Sequence, residues 1–428
     1  MAHHARLLQD PGRRSSGWFL GLPFLLAACG GTDPVPIDPA DEEARLGVEV
    51  AMCPASPPVG VETLASGLEV PWDMERAPDG RIFVTERPGR IRVIDATGLQ
   101  AASWATLDVY DQSEAGLLGL ALSPDFSRDG HVYVAATFLR AGNSLPSRVA
   151  GAVRLRMENA LGVREGGASV VLRVIRFTER DGVGVEPTVI VDGIPAHQLH
   201  AGAALEFGPD GALYLTMGDG AIPSAAADPL DRRGTILRYH PDGRVPEDNP
   251  VPGDPVFAWG FRDVQGMAWH PEDGELYAVD HGPTSLEVEG FRSDRDELNR
   301  VVVRGDHGWP RVSGRVELEG TVTPLLEWTP AVAPSGMDIH RDPGSPWYGD
   351  ILVGTLRGRA LERVVLEPGN SGALEPVCRE TLLPEGFGRL RGVRWDGEGI
   401  LVTTSNRDRR GMPEVEDDRV LRLTPGSP

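Results

Sequence analysis

One phrase recurs about six times along this chain and constrains its fold more than any other feature. Two apolar residues lead to Pro-Asp-Gly or a variant, and a run of alternating apolar residues follows, ending in a polar one. Pro78-Asp79-Gly80 opens into Arg81-Ile82-Phe83-Val84-Thr85-Glu86, and Pro209-Asp210-Gly211 into Ala212-Leu213-Tyr214-Leu215-Thr216-Met217. Pro271-Glu272-Asp273-Gly274, Pro124-Asp125 and Asp396-Gly397 precede similar runs, and a looser copy spans Tyr348–Gly354. Asp-Gly supplies the positive φ that tight hairpins need, so each copy predicts a strand, a turn and a second strand. Short strands repeating every ~40 to 85 residues are the mark of a propeller, with one four-stranded sheet per blade. The predicted fold is all-β, a six-bladed propeller of four-stranded antiparallel blades. Function in such a fold belongs at the mouth of the central channel.

Composition agrees. The 428 residues suit one such propeller, and 53 Gly with 37 Pro suit a chain built of turns. No long stretch carries the 3.6-residue apolar period of a helix. The net charge of −21 argues against a nucleic-acid partner, which needs a basic face, and against charge-driven docking on anionic lipid.

The N-terminus reads as an export signal over residues 1–28. Arg13-Arg14 precedes a short apolar run from Trp18 to Leu26, closed by Ala27-Ala28-Cys29. That run is too short to span a bilayer. Small residues followed by Cys resemble a bacterial lipobox, which implies cleavage before Cys29 and lipid on its thiol; the alternative is an ordinary signal with an incidental Cys. The protein is thus expected to be exported, facing the periplasm or cell exterior, and to touch the membrane only through that anchor. Residues 29–60 are Pro-rich and read as a tether, leaving 61–428 for the propeller. An oxidising compartment allows a disulfide between Cys53 and Cys378, with two buried free thiols as the alternative.

Few residues stand out for chemistry. His200 lies beside small residues in His200-Ala201-Gly202-Ala203-Ala204, and a neutral imidazole suits a general base near pH 7. The following hairpin strand ends at Gly218-Asp219-Gly220, which returns a carboxylate to orient the ring. A purely structural histidine is the competing interpretation. His197 lies three residues earlier, but no third ligand of matching spacing accompanies the pair, so zinc is discounted. Arg262, Arg357, Arg389 and Arg391 fall on or beside apolar strand patterns of different repeats and are expected to converge on the axis. Converging guanidiniums call for an anion between them. Surface arginines paired with the abundant Asp and Glu are the alternative.

Nine blocks, in order from about Val61 to Leu423, resemble the soluble PQQ-dependent aldose and glucose dehydrogenase family. They include Val70-Pro71-Trp72, Thr85–Ile91, Gly116–Leu120, Gly234–Arg238, Trp259-Gly260-Phe261-Arg262 and Gln265-Gly266-Met267. Asp296–Asn299, Ala333–Gly336 and Thr404–Asp408 complete the series. The resemblance implies a six-bladed propeller that oxidises an aldose sugar at its anomeric hydroxyl to a lactone and passes electrons to an external acceptor. It places the base at His200 with Asp219 as partner, Arg262 near the reacting quinone carbonyl, and Arg357, Arg389, Arg391 and Asp263 around PQQ. It places calcium on the carbonyls of Gly282 and Pro283, and the sugar against Glu114.

Departures accompany it. The His-Asn-Gly-Gly-Arg frequent in the family is His200-Ala201-Gly202-Ala203-Ala204 here, Arg-Asn-Pro is Arg262-Asp263-Val264, and Arg-x-Arg-Asp is Arg389-Leu390-Arg391-Gly392. Residues 140–169 form a Gly- and Ala-rich insertion. These changes leave open a different class of function, a non-catalytic propeller that binds a carbohydrate or a protein and has lost the cofactor.

Overall fold

The computed structural model describes residues 50–54, 59–140, 169–283, 294–383 and 386–426. Within them six antiparallel sheets follow one another around an axis. The chain enters with β1 (Ala51–Met52) and β2 (Gly60–Ala65). Blade one holds β3 (Pro71–Arg76), β4 (Ile82–Glu86), β5 (Arg90–Asp95), β6 (Gly98–Leu99) and β7 (Ala105–Thr106); blade two holds β8 (Leu117–Leu122), β9 (His131–Leu139), β10 (Val170–Arg180) and β11 (Val183–Ala196). Blade three holds β12 (Leu205–Phe207), β13 (Leu213–Met217), β14 (Thr235–Tyr239) and β15 (Val256–Trp259); blade four holds β16 (Val264–Trp269), β17 (Leu276–Asp280), β18 (Asp296–Arg300) and β19 (Leu326–Trp328). Blade five holds β20 (Pro334–Ile339), β21 (Ile351–Thr355), β22 (Leu361–Pro368) and β23 (Leu374–Thr381). Blade six holds β24 (Leu390–Trp395), β25 (Ile400–Thr404) and β26 (Val420–Thr424), and β2 completes it by pairing antiparallel with β26. The ring is therefore closed by strands from opposite ends of the chain.

Each copy of the recurrent phrase sits between the first and second strand of a blade. Gly80, Gly211, Gly274 and Gly397 all have positive φ. The preceding Asp79, Asp210, Asp273 and Asp396 each accept the backbone N–H two residues on, at 2.9–3.0 Å. Side chain and backbone thus cooperate to make the same turn each time.

The first strands β3, β8, β12, β16, β20 and β24 line the axis; β16, β20, β24, β3, β8 and β12 pack on one another in that order, and β16 meets blade three through β13. Small residues make that approach feasible. A Cβ on Gly119 would lie 2.1 Å from the Ala203 carbonyl, and one on Gly336 would lie 2.6 Å from that of Arg391. The apolar core lies between blades, as in the layer of Trp72, Leu118, Tyr133 and Leu215 and the edge-to-face pair of Phe83 and Trp104.

The expected disulfide between Cys53 and Cys378 is present and ties part of the tether to the sheet, where β1 runs parallel to β23. Cys29 and the signal lie outside the described residues, as does the insertion between Arg140 and Ser169. That segment joins β9 to β10, which pair directly up to Leu139 and Val170. Among the described residues no helix is long and apolar enough to cross a membrane.

Candidate functional site

The upper face is the one on which each blade's first strand begins and its second strand ends. His200 lies there, five residues ahead of β12 rather than on it, at a φ of 51°. Its backbone N–H donates to Glu114 Oε2 at 2.9 Å. The turn is tight because Gly202 and Gly218 pass each other closely: a Cβ on Gly218 would lie 2.1 Å from the His200 carbonyl. Small residues in the altered His200–Ala204 segment thus have a packing role.

Asp219 follows β13, and its Oδ1 meets His200 Nδ1 at 2.7 Å. On the other side of the ring, Arg262 Nη2 lies 3.0 Å from Nε2. A guanidinium has no acceptor, so Nε2 carries the lone pair and Nδ1 the hydrogen given to Asp219. Burial and the Arg262 charge oppose protonation of the ring, but the Asp219 carboxylate outweighs them and holds the pKa above 6.5. Burial also pushes Asp219 upward; His200, Arg262 and the Trp309 indole outweigh it, so its pKa ends below the usual carboxylate value. Trp309 Nε1 donates to Asp219 Oδ2 at 2.9 Å, and the Arg262 guanidinium lies 5.8 Å from its ring centre. Trp309 was invisible in the sequence, since its partner is 90 residues away and reached only through the fold.

Arg262 is held at its other end by the His281 carbonyl, to which Nη1 donates at 2.7 Å. Asp280, at the end of β17, accepts the backbone N–H groups of Arg262 and Asp263 at 2.8 and 2.6 Å. The Asp263 oxygens take the Gly202 N–H at 3.0 Å and Gln265 Nε2 at 2.9 Å, so this residue braces the His200 turn. Burial pushes its pKa up to about 7. Both carboxylate oxygens are engaged within the protein.

Arg389 and Arg391, at the start of β24, are both buried and share one carboxylate, Asp408, at 3.7 and 3.6 Å. Arg391 lies 3.6 Å over the Trp72 ring and contacts Ser405, Gln265 and Ser335. Burial, only partly offset by Asp408, lowers its pKa to about 10. Among the described residues Arg389 Nε is buried with no hydrogen-bond partner. Arg357 does not converge with them. It sits in the β21–β22 turn, half exposed, and pairs with Asp294 at 2.6 Å, because that turn carries it outward to the rim.

Glu114 is near the base but is already engaged. Oε2 serves His200, and Oε1 takes Arg409 Nη2 at 3.0 Å with Arg410 at 3.9 Å. It positions the His200 backbone. Gly282 and Pro283 follow β17; Asp296 Oδ1 accepts the Gly282 N–H at 2.9 Å, and Asp296 Oδ2 accepts those of Val332 and Ala333. Among the described residues no group of three His, Cys, Asp or Glu side chains is placed to hold a metal. A cation here would depend on main-chain oxygens.

The propeller and this base-and-arginine site define a class, and comparison with known proteins identifies it. The profile of the glucose/sorbosone dehydrogenase family matches residues 68–412, and the chain belongs to that family of sugar-oxidising enzymes. A Thermus thermophilus structure assigned as an oxidoreductase (glucose dehydrogenase) is 38% identical, with a TM-score of 0.73 over 86% of this chain and 100% of that one. The PQQ-bound aldose sugar dehydrogenase of Streptomyces coelicolor is 29% identical, with a TM-score of 0.69 over 86% and 100%. Aldose sugar dehydrogenase YliI of Escherichia coli is 24% identical over 379 residues, 83% of this chain and 92% of its own length.

The residues present suit PQQ, a planar tricarboxylate. Arg391 is stacked and desolvated, and among the described residues Arg389 keeps an orphaned buried N–H and Asp408 is the sole carboxylate ion-paired to both. Such a cationic cleft favours a flat anion with bidentate acceptors.

Proposed function

We propose that this protein oxidises an aldose at its anomeric hydroxyl to a lactone, using PQQ and calcium and passing electrons to an external acceptor. The observation that carries this reading is His200, set between Asp219 and Arg262 within hydrogen-bonding distance of both. His200 Nε2 holds the lone pair, and the sugar hydroxyl takes the place of the Arg262 N–H there before giving up its proton. Asp219 fixes that tautomer and stabilises the imidazolium that results, while Trp309 holds Asp219 in place. Arg262, anchored through the His281 carbonyl, keeps a guanidinium beside the base where negative charge develops on oxygen. Bound PQQ would supply the two-electron acceptor for hydride leaving the anomeric carbon. Arg389 and Arg391 would hold its carboxylates, with Arg357 at the rim. The Gly282 and Pro283 carbonyls would hold calcium as hard oxygen donors, with Asp296 anchoring that turn.

The same reading places the protein outside the cytoplasm, tethered through lipid on Cys29. A Cys29→Ser protein is expected to leave the membrane fraction. The decisive experiment adds PQQ and calcium to the apo-protein and follows absorbance and dye-linked aldose oxidation. Turnover that requires both is the expected result. Carbohydrate or protein binding without turnover would instead point to a non-catalytic propeller.

A further inference from the structure

We propose that the aldose oxidised here carries an anionic group, a carboxylate or a phosphate, recognised by Arg409 and Arg410. The inference rests on the dehydrogenase reading above and specifies its substrate class. The arginines of the upper face fall into two sets by depth. Arg389 and Arg391 are buried, whereas the Arg409 and Arg410 side chains are 42% and 58% exposed at the mouth. The buried pair suits a resident cofactor. The exposed pair meets whatever arrives from solvent.

Arg409 and Arg410 also stand one carboxylate away from the base. Glu114 gives one oxygen to the His200 N–H and the other to Arg409, while Arg410 remains 3.9 Å away, beyond hydrogen-bonding distance. One carboxylate so divided cannot neutralise two guanidiniums. The excess is felt below: burial lowers the Arg389 pKa, Asp408 opposes this, and Arg410, Arg359 and Arg409 lower it further. The segment that presents them is held, since Asp418 accepts the backbone N–H groups of Asn406 and Arg407 and Asp408 closes a turn with Gly411.

A neutral sugar gains little from such a rim. An ionised partner makes charge-assisted hydrogen bonds roughly twice as strong as neutral ones, and a guanidinium fork matches carboxylate or phosphate. On a protein of net charge −21, a local cationic mouth also draws anions to that one place. The anionic group takes no part in the redox step. The proton still goes to His200 and the hydride to the bound quinone.

The test uses the full chain loaded with PQQ and calcium, and compares kcat/KM for D-glucuronate, D-glucose 6-phosphate and D-glucose by dye reduction. At least one anion is expected to exceed glucose by about tenfold, a preference that shrinks at high salt. Which anion wins identifies carboxylate or phosphate. In Arg410→Ala the ratio of anion to glucose should fall towards one, and Arg410→Glu should invert it. Glucose equal to or better than both anions would overturn the proposal, as would a preference that survives Arg410→Glu. Calorimetric binding of the same three sugars is run in parallel. If no sugar is oxidised, the dehydrogenase reading fails and the claim about an oxidised substrate falls with it; an anion preference in binding that Arg410→Glu removes then upholds Arg409 and Arg410 as the anion-recognising pair, and equal binding refutes that too.

Discussion

Two arginines on β24, Arg391 and Arg394, face opposite ends of the same axial channel and are treated differently by the fold. A narrow cavity of about 20 Å³, room for about one water molecule, runs beside the inner strands between these regions. At the lower end Arg394 reaches both oxygens of Asp73 at 3.3 Å, also meets Glu206, and donates to the Leu205 carbonyl. Burial opposes its charge, but Asp73, Glu206 and Asp338 outweigh burial and raise its pKa well above the ordinary value. At the upper end burial wins, and the Arg391 pKa falls to about 10. The fold completes the first charge and leaves the second short of anions. A buried cation satisfied within the chain is structural; one left under-compensated marks where a ligand belongs.

The contrast can be broken in four ways. The largest effect should come from the base beside the under-compensated pair. His200→Ala should lower turnover by about 10²–10⁴ while PQQ still binds, and near-normal turnover in the reconstituted variant would remove His200 from its role. Next, Arg394→Met should destabilise the apo-protein by about 3–5 kcal/mol, since it strands Asp73 and Glu206. Arg391→Met should leave stability unchanged or raise it. Urea unfolding of both proteins checks the pair, and equal losses would erase the distinction between the two ends.

Third, Arg391→Ala or Arg389→Ala should weaken PQQ by about 2–5 kcal/mol, the usual cost of stranding one partner of a buried charge pair. Titration of PQQ measures it; unchanged affinity in both would make the arginines structural. The smallest effect is on pH. Because the His200 pKa is raised, the neutral base that catalysis needs is gained only as pH climbs through a value above 6.5. The stabilising contribution of the protonated His200–Asp219 pair runs the other way, present below the unfolded pKa and lost as pH rises through the folded one. Asp219→Asn removes the group that raises the pKa, so the rising limb of kcat/KM should move to lower pH as the rate falls. A limb that stays in place would assign it to another group.

Much of this was legible in the sequence because it is local. The Asp-Gly turns recur in blades one, three, four and six because an aspartate two residues ahead of an N–H and a glycine with positive φ settle the geometry without help from the rest of the chain. The pairing of Asp219 with His200 followed from a single hairpin. Asp263 was placed at the cofactor by resemblance, and its partner Gly202 could not be foreseen because it lies 61 residues away in the preceding blade. The cationic neighbours of Glu114 were hidden for a similar reason: they come from the β25–β26 loop, 295 residues on.

By itself the sequence determined the repeat, the strand-turn-strand unit, the blade count, and the residue types available for proton transfer and anion binding. These depend on backbone geometry and side-chain chemistry within a few residues. Only the tertiary structure decided which of those charges are neutralised inside the protein and which remain for a ligand. Electrostatic compensation depends on groups a few ångströms apart in space. Closing six blades around an axis brings such groups together from across the whole chain.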